Sequence, residues 1–269
     1  MTYTLGLIGY PVSHSLSPRI HTAALRALAL EGSYTATAVA PAEVAATLRT
    51  LLAAGYTGLN VTIPHKQAVM RLMDDLSDDA RAIGAVNTIV VVQGRVIGHN
   101  TDGVGFLRGL SEAGLNPRGK AALVLGAGGA ARAVVYSLRK AGADVTIWNR
   151  TARRAEQLAR EFGAQALDES AADISGNWDL LVNTTSVGMY PHGGAAPVQL
   201  AADGLRARCV YDLVYNPLET KLLAQAHAMG VRAIGGLTML VYQAAEAFRL
   251  WTGCEPPIQA MLHAAAPQP

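Results

Sequence analysis

The stretch Gly126-Ala127-Gly128-Gly129-Ala130-Ala131 determines the predicted fold of the second half of the chain. It follows an apolar run that predicts a buried strand, and it precedes a helical pattern. The residues fit G-x-G-x-x-A, in which glycines permit a tight turn and a close backbone approach to a pyrophosphate. The following helix would direct its positive end at the phosphates. We therefore predict a dinucleotide site, with candidate cofactor-binding residues Gly126, Ala127, Gly128, Gly129 and Ala130.

Regularly spaced strand patterns surround this loop, with helical patterns between most of them. The alternation predicts a parallel sheet covered by helices, as in Rossmann-type domains. Cys209 falls in one of these runs and is expected to be a buried strand residue. The predicted strands are Ala121 to Leu125, Asp144 to Trp148, Leu180 to Asn183, Cys209 to Val214 and Val231 to Ile234.

The end of the second predicted strand of this domain distinguishes NADP from NAD. An NAD site usually has an acidic residue about 20 positions after the first glycine, bonded to the ribose 2′-hydroxyl. Asn149 lies 23 positions after Gly126 (149 − 126), and arginines rather than carboxylates surround it. Guanidinium groups suit a 2′-phosphate, although a helix start with surface arginines is the plain alternative. The segment therefore favours NADP, with candidate residues Asn149, Arg150, Thr151 and Arg154.

The first hundred residues alternate in the same way and predict a second parallel, helix-covered sheet. Ser17 followed by Pro18 is typical of an N-cap and a first helical residue. Gln93-Gly94 predicts the turn of a hairpin. The expected strands are Tyr3 to Gly9, Tyr34 to Val39, Gly58 to Ile63, Asn87 to Val92 and Arg95 to His99. The expected helices are Ser17 to Leu30, Ala42 to Ala54, Ser77 to Ala85, Asp102 to Ala113 and Met239 to Trp251, with a frayed end from Ala264.

Composition excludes several classes of protein. The chain has 269 residues, 51% of them hydrophobic, and a formal net charge of +2. This is enough apolar material for packed cores, and the balanced charge does not indicate nucleic acid or an anionic membrane as a partner. The N-terminus has no basic segment typical of a signal peptide, and no run of about 18 apolar residues predicts a membrane span. We expect a cytoplasmic protein.

A nicotinamide enzyme also needs a group that handles the proton of the substrate oxygen. Seven His and two Cys are scattered without ligand spacing, so no metal site is expected. Tyr136 and Lys140 have the spacing of a Tyr-x-x-x-Lys pair, but they fall too early, on the helix that follows the glycine loop. No His–Asp pair stands out.

Four polar clusters outside the cofactor half remain as candidates. They lie largely at the ends of predicted strands, where open α/β sheets bind ligands. Their hydroxyls, amides, one lysine and one aspartate would suit a small polyhydroxylated acid, although each residue could also be a cap or a turn residue. The clusters are Ser13 to Pro18, Asn60 to Lys66, Gly84 to Thr88 and Asn100 to Gly103.

Together these motifs resemble the shikimate dehydrogenase family from Gly9 to Gln243. The resemblance adds the segments Asn183-Thr184-Thr185 and Gly236 to Gln243 to the clusters above. Thr22 departs from the family's usual Asn, and the loop from Ser186 to Pro197 cannot be aligned securely. The resemblance implies two α/β domains that flank a cleft: residues 1–101 with 238–269 for substrate, and 102–237 for NADP. It also implies that the C-terminal helix returns to the N-terminal domain.

The resemblance further implies reversible reduction of 3-dehydroshikimate to shikimate with NADPH, a step in aromatic amino-acid biosynthesis. Lys66 and Asp102 would be the catalytic pair, and the implied substrate-binding residues are Ser15, Ser17, Thr62, Asn87, Tyr215 and Gln243. Thr184 belongs to the implied cofactor site, and Leu213 and Gly236 would lie near the nicotinamide. A carboxylate beside Lys66 favours the charged ammonium, so shikimate oxidation is expected to be faster at alkaline pH.

Three alternatives remain open. An NAD-dependent quinate/shikimate dehydrogenase is disfavoured by the missing acidic residue after Trp148. A non-catalytic sensor that binds ligand and NADP is disfavoured because Lys66 and Asp102 are both present and no basic DNA-binding segment is attached. A methylene-tetrahydrofolate dehydrogenase is disfavoured by the serines near the N-terminus and by Gln243. A monomer and a homodimer are equally compatible with the sequence.

Overall fold

The computed structural model describes residues 2–168, 174–191, 193–201 and 204–266. The chain divides into two compact units, Met1–Gly105 with Val241–Pro269, and Phe106–Leu240. Each unit contains a six-stranded sheet with helices, so the predicted α/β class is confirmed. No helix in these described ranges is long and apolar enough to cross a membrane.

The first unit is built on strands that largely follow the predicted pattern. Its elements are β1 (Tyr3–Gly9), α1 (Ser17–Ala27), β2 (Gly32–Ala38), a 3₁₀ helix (Pro41–Glu43), α2 (Val44–Ala53), β3 (Gly58–Val61), a second 3₁₀ helix (Ala68–Leu72), β4 (Asp75–Leu76), α3 (Asp78–Ile83), β5 (Thr88–Val92), β6 (Arg95–His99) and the start of α4 (Asp102–Glu112). The strand order is β2-β1-β3-β5-β6-β4.

The sheet of the first unit is mixed. β1 runs parallel to β2 and β3, which confirms the parallel arrangement predicted for the first three strands. β5 runs antiparallel to both β3 and β6. The β5–β6 hairpin turns at Gln93 (φ 51°) and Gly94 (φ 77°), and two positive φ values are what a two-residue hairpin turn requires. The predicted hairpin is therefore confirmed.

Helix α1 corrects one prediction. Ser17 is the first helical residue and not the N-cap, which is Leu16, and no side chain caps this end. The reason lies in the local hydrogen bonds: the Ser17 N–H donates to Ser15 Oγ at 3.2 Å, so the serine pair forms its own short turn. Ser77, in contrast, caps α3 by accepting from Ala80 N at 3.2 Å.

The second unit is a doubly wound parallel sheet. Its elements are the rest of α4, β7 (Ala121–Leu125), α5 (Gly129–Lys140), β8 (Asp144–Trp148), α6 (Ala152–Phe162), β9 (Gln165–Leu167), β10 (Gly176–Trp178), β11 (Leu180–Asn183), β12 (Leu205–Ala207), β13 (Cys209–Asp212), α7 (Lys221–Ala228), β14 (Arg232–Ile234) and the start of α8 (Leu237–Thr252). The strand order is β14-β13-β11-β7-β8-β9, with every neighbouring pair parallel. The predicted Rossmann-type sheet is confirmed.

Apolar side chains from the central strands supply two cores, one on each face of this sheet. Val124, Val182 and Tyr211 belong to one core, and Leu125 and Leu181 belong to the other. Near-continuous apolar runs are expected where a parallel sheet is covered on both sides. Cys209 is 2% exposed, as predicted for a buried strand residue. Burial raises the pKa of its thiol to about 11.

The C-terminal part of the chain belongs to the first unit. The predicted tail helix is confirmed as part of α8, and its Trp251 indole donates to Ile89 O at 2.9 Å. A further helix, α9 (Ile258–Ala265), packs against α1, which gives the return to the N-terminal domain that the resemblance implies. The frayed end predicted from Ala264 was therefore wrong for the end of α9, and residues 267–269 lie outside the described residues.

Candidate active site

One edge of the first sheet brings the predicted catalytic pair together. Lys66 follows β3, and Asp102 follows β6 as the first residue of α4. Asn87 precedes β5, which is antiparallel to both of those strands. The end of β3, the start of β5 and the end of β6 therefore meet at the same edge, and the residues beside them become neighbours although they are far apart in sequence.

Lys66 and Asp102 form a largely buried ion pair. Lys66 Nζ lies 2.5 Å from Asp102 Oδ2, and the two side chains are 13% and 5% exposed. The Asp102 N–H donates to Asn100 Oδ1 at 3.1 Å, and the Lys66 carbonyl accepts from Val86 N at 2.7 Å. Both charged residues are thus fixed through their backbones as well as their side chains. The ammonium has three N–H donors and uses one of them on Asp102.

Asn87 is the centre of the hydrogen-bond network around this pair. Its Oδ1 accepts from Thr101 N at 2.8 Å and from Thr88 Oγ1 at 3.0 Å, so the carbonyl end of the amide faces the two threonines. Its Nδ2 faces Thr101 Oγ1 and Asp102 Oδ1, each at 2.9 Å, and Gln243 Oε1 at 3.3 Å. Asp102 thereby has a partner on each carboxylate oxygen. Four predicted site residues share this one network: Lys66, Asn87, Asp102 and Gln243.

Gln243 reaches this network from α8. The helix passes α4 so closely that a Cβ on Gly105 would lie 2.6 Å from Gln243 N. Only glycine fits at that crossing without displacing backbone. The same contact keeps Gln243 beside the first turn of α4. That turn begins with Asp102, three residues before Gly105.

A chain of buried polar groups connects the network to Ser17. Asn60 Nδ2 donates to Thr88 Oγ1 at 3.2 Å, and Tyr34 OH donates to Asn60 Oδ1 at 2.7 Å. Burial raises the pKa of Tyr34 well above its ordinary value, and a hydrogen bond from Ser17 opposes that shift. Ser17 is therefore connected to Asn87 through three side chains, those of Tyr34, Asn60 and Thr88.

Ser15 and Thr62 lie outside this chain of bonds. Ser15 is half-buried and accepts from the Ser17 N–H. Thr62 follows β3, and its N–H donates to Ile8 O at 2.9 Å, while its methyl group covers Gly9. Their predicted roles toward substrate stay predictions.

His21 lies behind the site among aromatic rings. It is fully buried and stacks on Tyr34, with ring centroids 4.5 Å apart. Neither ring nitrogen has a partner in hydrogen-bonding geometry, although Asn60 is near enough to influence the ring. Burial lowers the pKa of His21 to about 3, with Asn60 opposing the shift. His21 is therefore neutral at physiological pH.

In the second unit, the glycine loop has the geometry expected of a nucleotide cradle. Gly126 has φ 114°, and a Cβ there would lie 2.5 Å from Thr184 Oγ1, so this position requires glycine. Gly128 is the N-cap of α5, and a Cβ there would meet nothing within 4 Å. No packing among the described residues explains a glycine at this position, whereas a pyrophosphate approaching the backbone would. Ala127, Gly129 and Ala130 complete the loop and the first turn of α5.

The end of β8 presents a group of exposed cations. Asn149 Nδ2 donates to Thr151 O at 2.9 Å, and Thr151 is the N-cap of α6 without a side-chain cap bond. Arg150, Arg153 and Arg154 are all exposed around this helix start. None of the three guanidinium groups forms an ion pair with a carboxylate in the described part of the chain. The donor set fits a phosphate group at a helix N-terminus.

The remaining cofactor candidates lie after the carboxyl ends of β11, β13 and β14. Thr184 Oγ1 donates to Leu125 O at 2.6 Å, which places it beside the glycine loop, where the strand order reverses between β7 and β11. A Cβ on Gly236 would lie 2.1 Å from Leu213 O. Leu213 and Gly236 are therefore neighbours. Tyr215 follows two positions after Leu213 and is half-buried.

Several polar residues of these sites were not assigned a role from sequence. Thr88 and Thr101 were noted only as members of polar clusters, and Tyr34 was taken as a strand residue. Asp212 and Thr220 were missed altogether. The signal that could have found Asp212 is an acidic residue at the end of the apolar run that begins at Cys209, because buried carboxylates are rare.

Comparison with known proteins agrees with this geometry. The chain matches the family described as "Shikimate dehydrogenase substrate binding domain" over residues 7–89. It matches "Shikimate / quinate 5-dehydrogenase" over residues 111–188. It also matches "Shikimate 5'-dehydrogenase C-terminal domain" over residues 236–266.

Individual relatives extend over nearly the whole chain. A shikimate dehydrogenase (NADP(+)) from Methanopyrus kandleri is 47% identical, covering 98% of this chain and 94% of the relative. The crystal structure of shikimate 5-dehydrogenase from Thermus thermophilus in complex with NADP(H) and shikimate is 43% identical, with a TM-score of 0.87 and 98% of both chains covered. A ligand-free 5-ketofructose reductase of a Gluconobacter species is 32% identical, with a TM-score of 0.84 and 98% of both chains covered. The chain belongs to the shikimate dehydrogenase family.

Proposed function

We propose that this chain is an NADP-dependent oxidoreductase that reversibly reduces 3-dehydroshikimate to shikimate in aromatic amino-acid biosynthesis. The observation that carries the proposal is the buried pair in which Lys66 Nζ lies 2.5 Å from Asp102 Oδ2, surrounded by amide and hydroxyl groups. Hydride transfer also requires a cofactor site. A Rossmann-type sheet with a glycine loop and exposed arginines provides the residues for it. The full-length relatives named as NADP-dependent shikimate dehydrogenases support the substrate.

Lys66 is the proton donor in this mechanism. NADPH, held by the glycine loop and the arginines after β8, would supply the hydride that reduces the C3 carbonyl carbon. The electrons of the C=O double bond move to the oxygen, where the Lys66 ammonium stabilises the developing charge and transfers its proton. In the oxidation direction, Lys66 takes the hydroxyl proton of the substrate as the hydride leaves C3.

Asp102 orients the ammonium. Its Oδ2 accepts from Lys66 at 2.5 Å, and its Oδ1 is held by Asn87 at 2.9 Å, so the carboxylate cannot rotate without losing a partner. A carboxylate held in this way keeps Lys66 in one position and leaves two ammonium N–H groups for substrate.

Substrate recognition rests on the remaining polar residues. Ser15 and Ser17, at the start of α1, bind the substrate carboxylate. Amides and hydroxyls suit ring hydroxyls because each of these groups can both donate and accept hydrogen bonds. The residues assigned to carboxylate or ring hydroxyls are Thr62, Asn87, Tyr215 and Gln243. Residues 1–101 with 238–269 form the substrate domain in this proposal, and 102–237 form the NADP domain.

The cofactor residues divide into three groups. Gly126 to Ala130 hold the pyrophosphate, because the open space at Gly128 and the α5 N-terminus suit an anion. Asn149, Arg150, Thr151 and Arg154 bind the adenosine ribose and its 2′-phosphate. Thr184, Leu213 and Gly236 lie at the nicotinamide end. A cytoplasmic location and a monomeric or homodimeric state complete the proposal.

Product identification tests the reaction. The purified chain is incubated with shikimate and NADP, and the products are followed by proton NMR. Loss of the signal of the hydrogen on C3, with the matching signals of 3-dehydroshikimate and NADPH, supports the proposal. If the chain oxidises a different sugar or acid but not shikimate, the proposed substrate is contradicted. The proposed type of reaction would still stand.

A further inference from the structure

Asp212 is a buried carboxylate that the reaction does not use. It is the last residue of β13, is 0% exposed, and has no ion-pair partner among the described residues. Three donors surround it: Thr220 Oγ1 at 2.6 Å, Asn183 Nδ2 at 2.8 Å and Val214 N at 3.0 Å. Burying a charge without a counter-ion costs folding free energy. The hydrogen bonds of Asp212 must therefore hold neighbouring groups in positions that an apolar residue could not fix.

The three partners all donate. Thr220 Oγ1 already accepts from Leu223 N at 3.2 Å, so its hydroxyl hydrogen is directed at Asp212. An amide NH₂ and a backbone N–H have no acceptor function. The site therefore suits the ionised carboxylate, although burial raises the pKa of Asp212 against these bonds.

Asn183 transmits this arrangement to the segment after β11. Its Oδ1 accepts from Thr185 N at 3.0 Å and from Thr185 Oγ1 at 2.7 Å. Its carbonyl accepts from Leu213 N at 3.0 Å. The Asp212–Asn183 bond thus fixes the turn that contains Thr184, which lies against Gly126.

The segment after β13 is held from two sides. Asp212 holds Val214 N, and Val214 O accepts from Gly236 N at 3.2 Å. The close approach of Gly236 to Leu213 O allows no side chain between them. A shift of Asp212 would therefore move Leu213 and Gly236 together.

We propose that Asp212 is a positioning residue that fixes the segments of Thr184, Leu213 and Gly236, and thereby the nicotinamide half of NADP(H). This inference rests on the proposed NADP function. Asp212 touches neither the reacting atoms nor the phosphates, and it acts through Asn183, Val214 and Thr220. The adenosine end, around Arg150 at the end of β8, is independent of it.

Two ligands distinguish binding at the nicotinamide end of the site from binding at its adenosine end. NADPH reports on both halves, whereas adenosine 2′,5′-bisphosphate lacks the nicotinamide. In Asp212→Asn and Thr220→Val, we expect NADPH to bind roughly 10-fold more weakly and kcat to fall, since small misplacements at a reacting group are expensive. The dissociation constant of adenosine 2′,5′-bisphosphate is expected to stay at its parent value. Thr220→Ser keeps the hydroxyl and should restore NADPH affinity.

Ser77→Ala is the matched control, because it removes the side-chain cap of α3 without touching Asp212. It should lower the thermal midpoint without changing NADPH affinity. Unchanged NADPH affinity in both Asp212→Asn and Thr220→Val would overturn the inference. Parallel weakening of NADPH and adenosine 2′,5′-bisphosphate would also overturn it, because the residue would then only stabilise the unit. If the parent chain binds neither ligand, the proposed function fails and this inference fails with it.

Discussion

The side-chain amide of Asn87 donates to Oδ1 of Asp102 at 2.9 Å, on the oxygen that Lys66 leaves free. Asn87 was predicted only as a substrate-binding residue. Its position shows a structural role as well, because it provides a hydrogen-bond donor to the second oxygen of a nearly buried carboxylate. The substrate site and the catalytic pair therefore share one hydrogen-bond network.

Replacement of Lys66 tests the proton donor. We expect Lys66→Ala to lower kcat by roughly 10²-fold or more with little change in KM, the effect of losing a general acid. Lys66→Arg should be similarly slow, since a guanidinium holds its proton too firmly to donate it. Steady-state rates with both substrates varied provide the measurement. A preserved kcat with a raised KM would make Lys66 a binding residue instead.

Replacement of Asn87 tests the network. Asn87→Ala removes a donor from Asp102 and an acceptor from Thr88, and unsatisfied buried groups cost about 1–3 kcal/mol each. We expect a lower free energy of unfolding in urea together with a lower kcat. Asn116→Ala, at an exposed position where the side chain accepts from Arg118 N, should change neither quantity. Full activity in Asn87→Ala would show that Asp102 does not need this donor.

Replacement of Arg150 tests the choice of cofactor. Arg150→Ala should weaken NADPH far more than NADH, because only NADPH carries the 2′-phosphate. Dissociation constants for both cofactors, measured by fluorescence titration, decide the matter. Arg118→Ala changes an exposed arginine away from the end of β8 and should leave both constants as they are. Equal weakening of both cofactors by Arg150→Ala would rule out the 2′-phosphate assignment.

The open space at Gly128 gives a test that separates binding from folding. Its φ is −91° and a Cβ would meet no atom within 4 Å, so Gly128→Ala should fold with a nearly unchanged thermal midpoint. A methyl group in the path of the pyrophosphate should nevertheless weaken NADPH strongly. Gly194→Ala is the matched control, since a Cβ at Gly194 is equally free of contacts and should not affect binding. Parent-like NADPH affinity in Gly128→Ala would place the phosphates elsewhere.

His21 gives a pH-dependent contribution to stability. Its folded pKa of about 3 lies below its ordinary value of 6.5, so between these values the unfolded chain binds the additional proton. Stability from this residue therefore falls as the pH drops below 6.5, by about 2 kcal/mol between pH 7 and pH 5. Urea unfolding of the parent and of His21→Phe at both pH values measures it.

The variant His21→Phe keeps an aromatic ring against Tyr34 and removes the titration. Its free energy of unfolding should consequently fall less on acidification than that of the parent. His263→Asn, at an exposed position, should lose stability as the parent does. The same acid-dependent loss in His21→Phe and in the parent would show that His21 is not its source.

Elements of this fold could be predicted where the pattern that specifies them lies within a few adjacent residues. Strand β7 is an apolar run of five residues bounded by turns, and the hairpin at Gln93-Gly94 is set by two adjacent residues. β4 has only two residues, which is too short for any periodicity. α9 was missed because its alanine-rich end was taken for a frayed terminus, whereas packing against α1 stabilises it.

Site residues could be predicted where a motif contains distinctive residue types. They could not be predicted where a residue's role depends on its contacts in the folded structure. Lys66 and Asp102 were found through the motifs of a family, and the structure brings them into contact. The roles of Thr88 and Asp212 depend on strand pairing, because Asn60 on β3 donates to Thr88 and Asn183 on β11 donates to Asp212. No sequence pattern indicates which buried hydroxyl fixes which amide, since hydrogen-bond direction follows only from the folded arrangement.

Initial rates with purified protein test the central claim most directly. NADPH or NADH absorbance is followed with shikimate plus NADP, shikimate plus NAD, and quinate plus either cofactor. We predict strong turnover only with shikimate and NADP, which would support the substrate and the arginine site together. No turnover with any pair, despite measurable NADPH binding, would contradict the proposed reaction and favour a ligand-sensing protein or a different substrate.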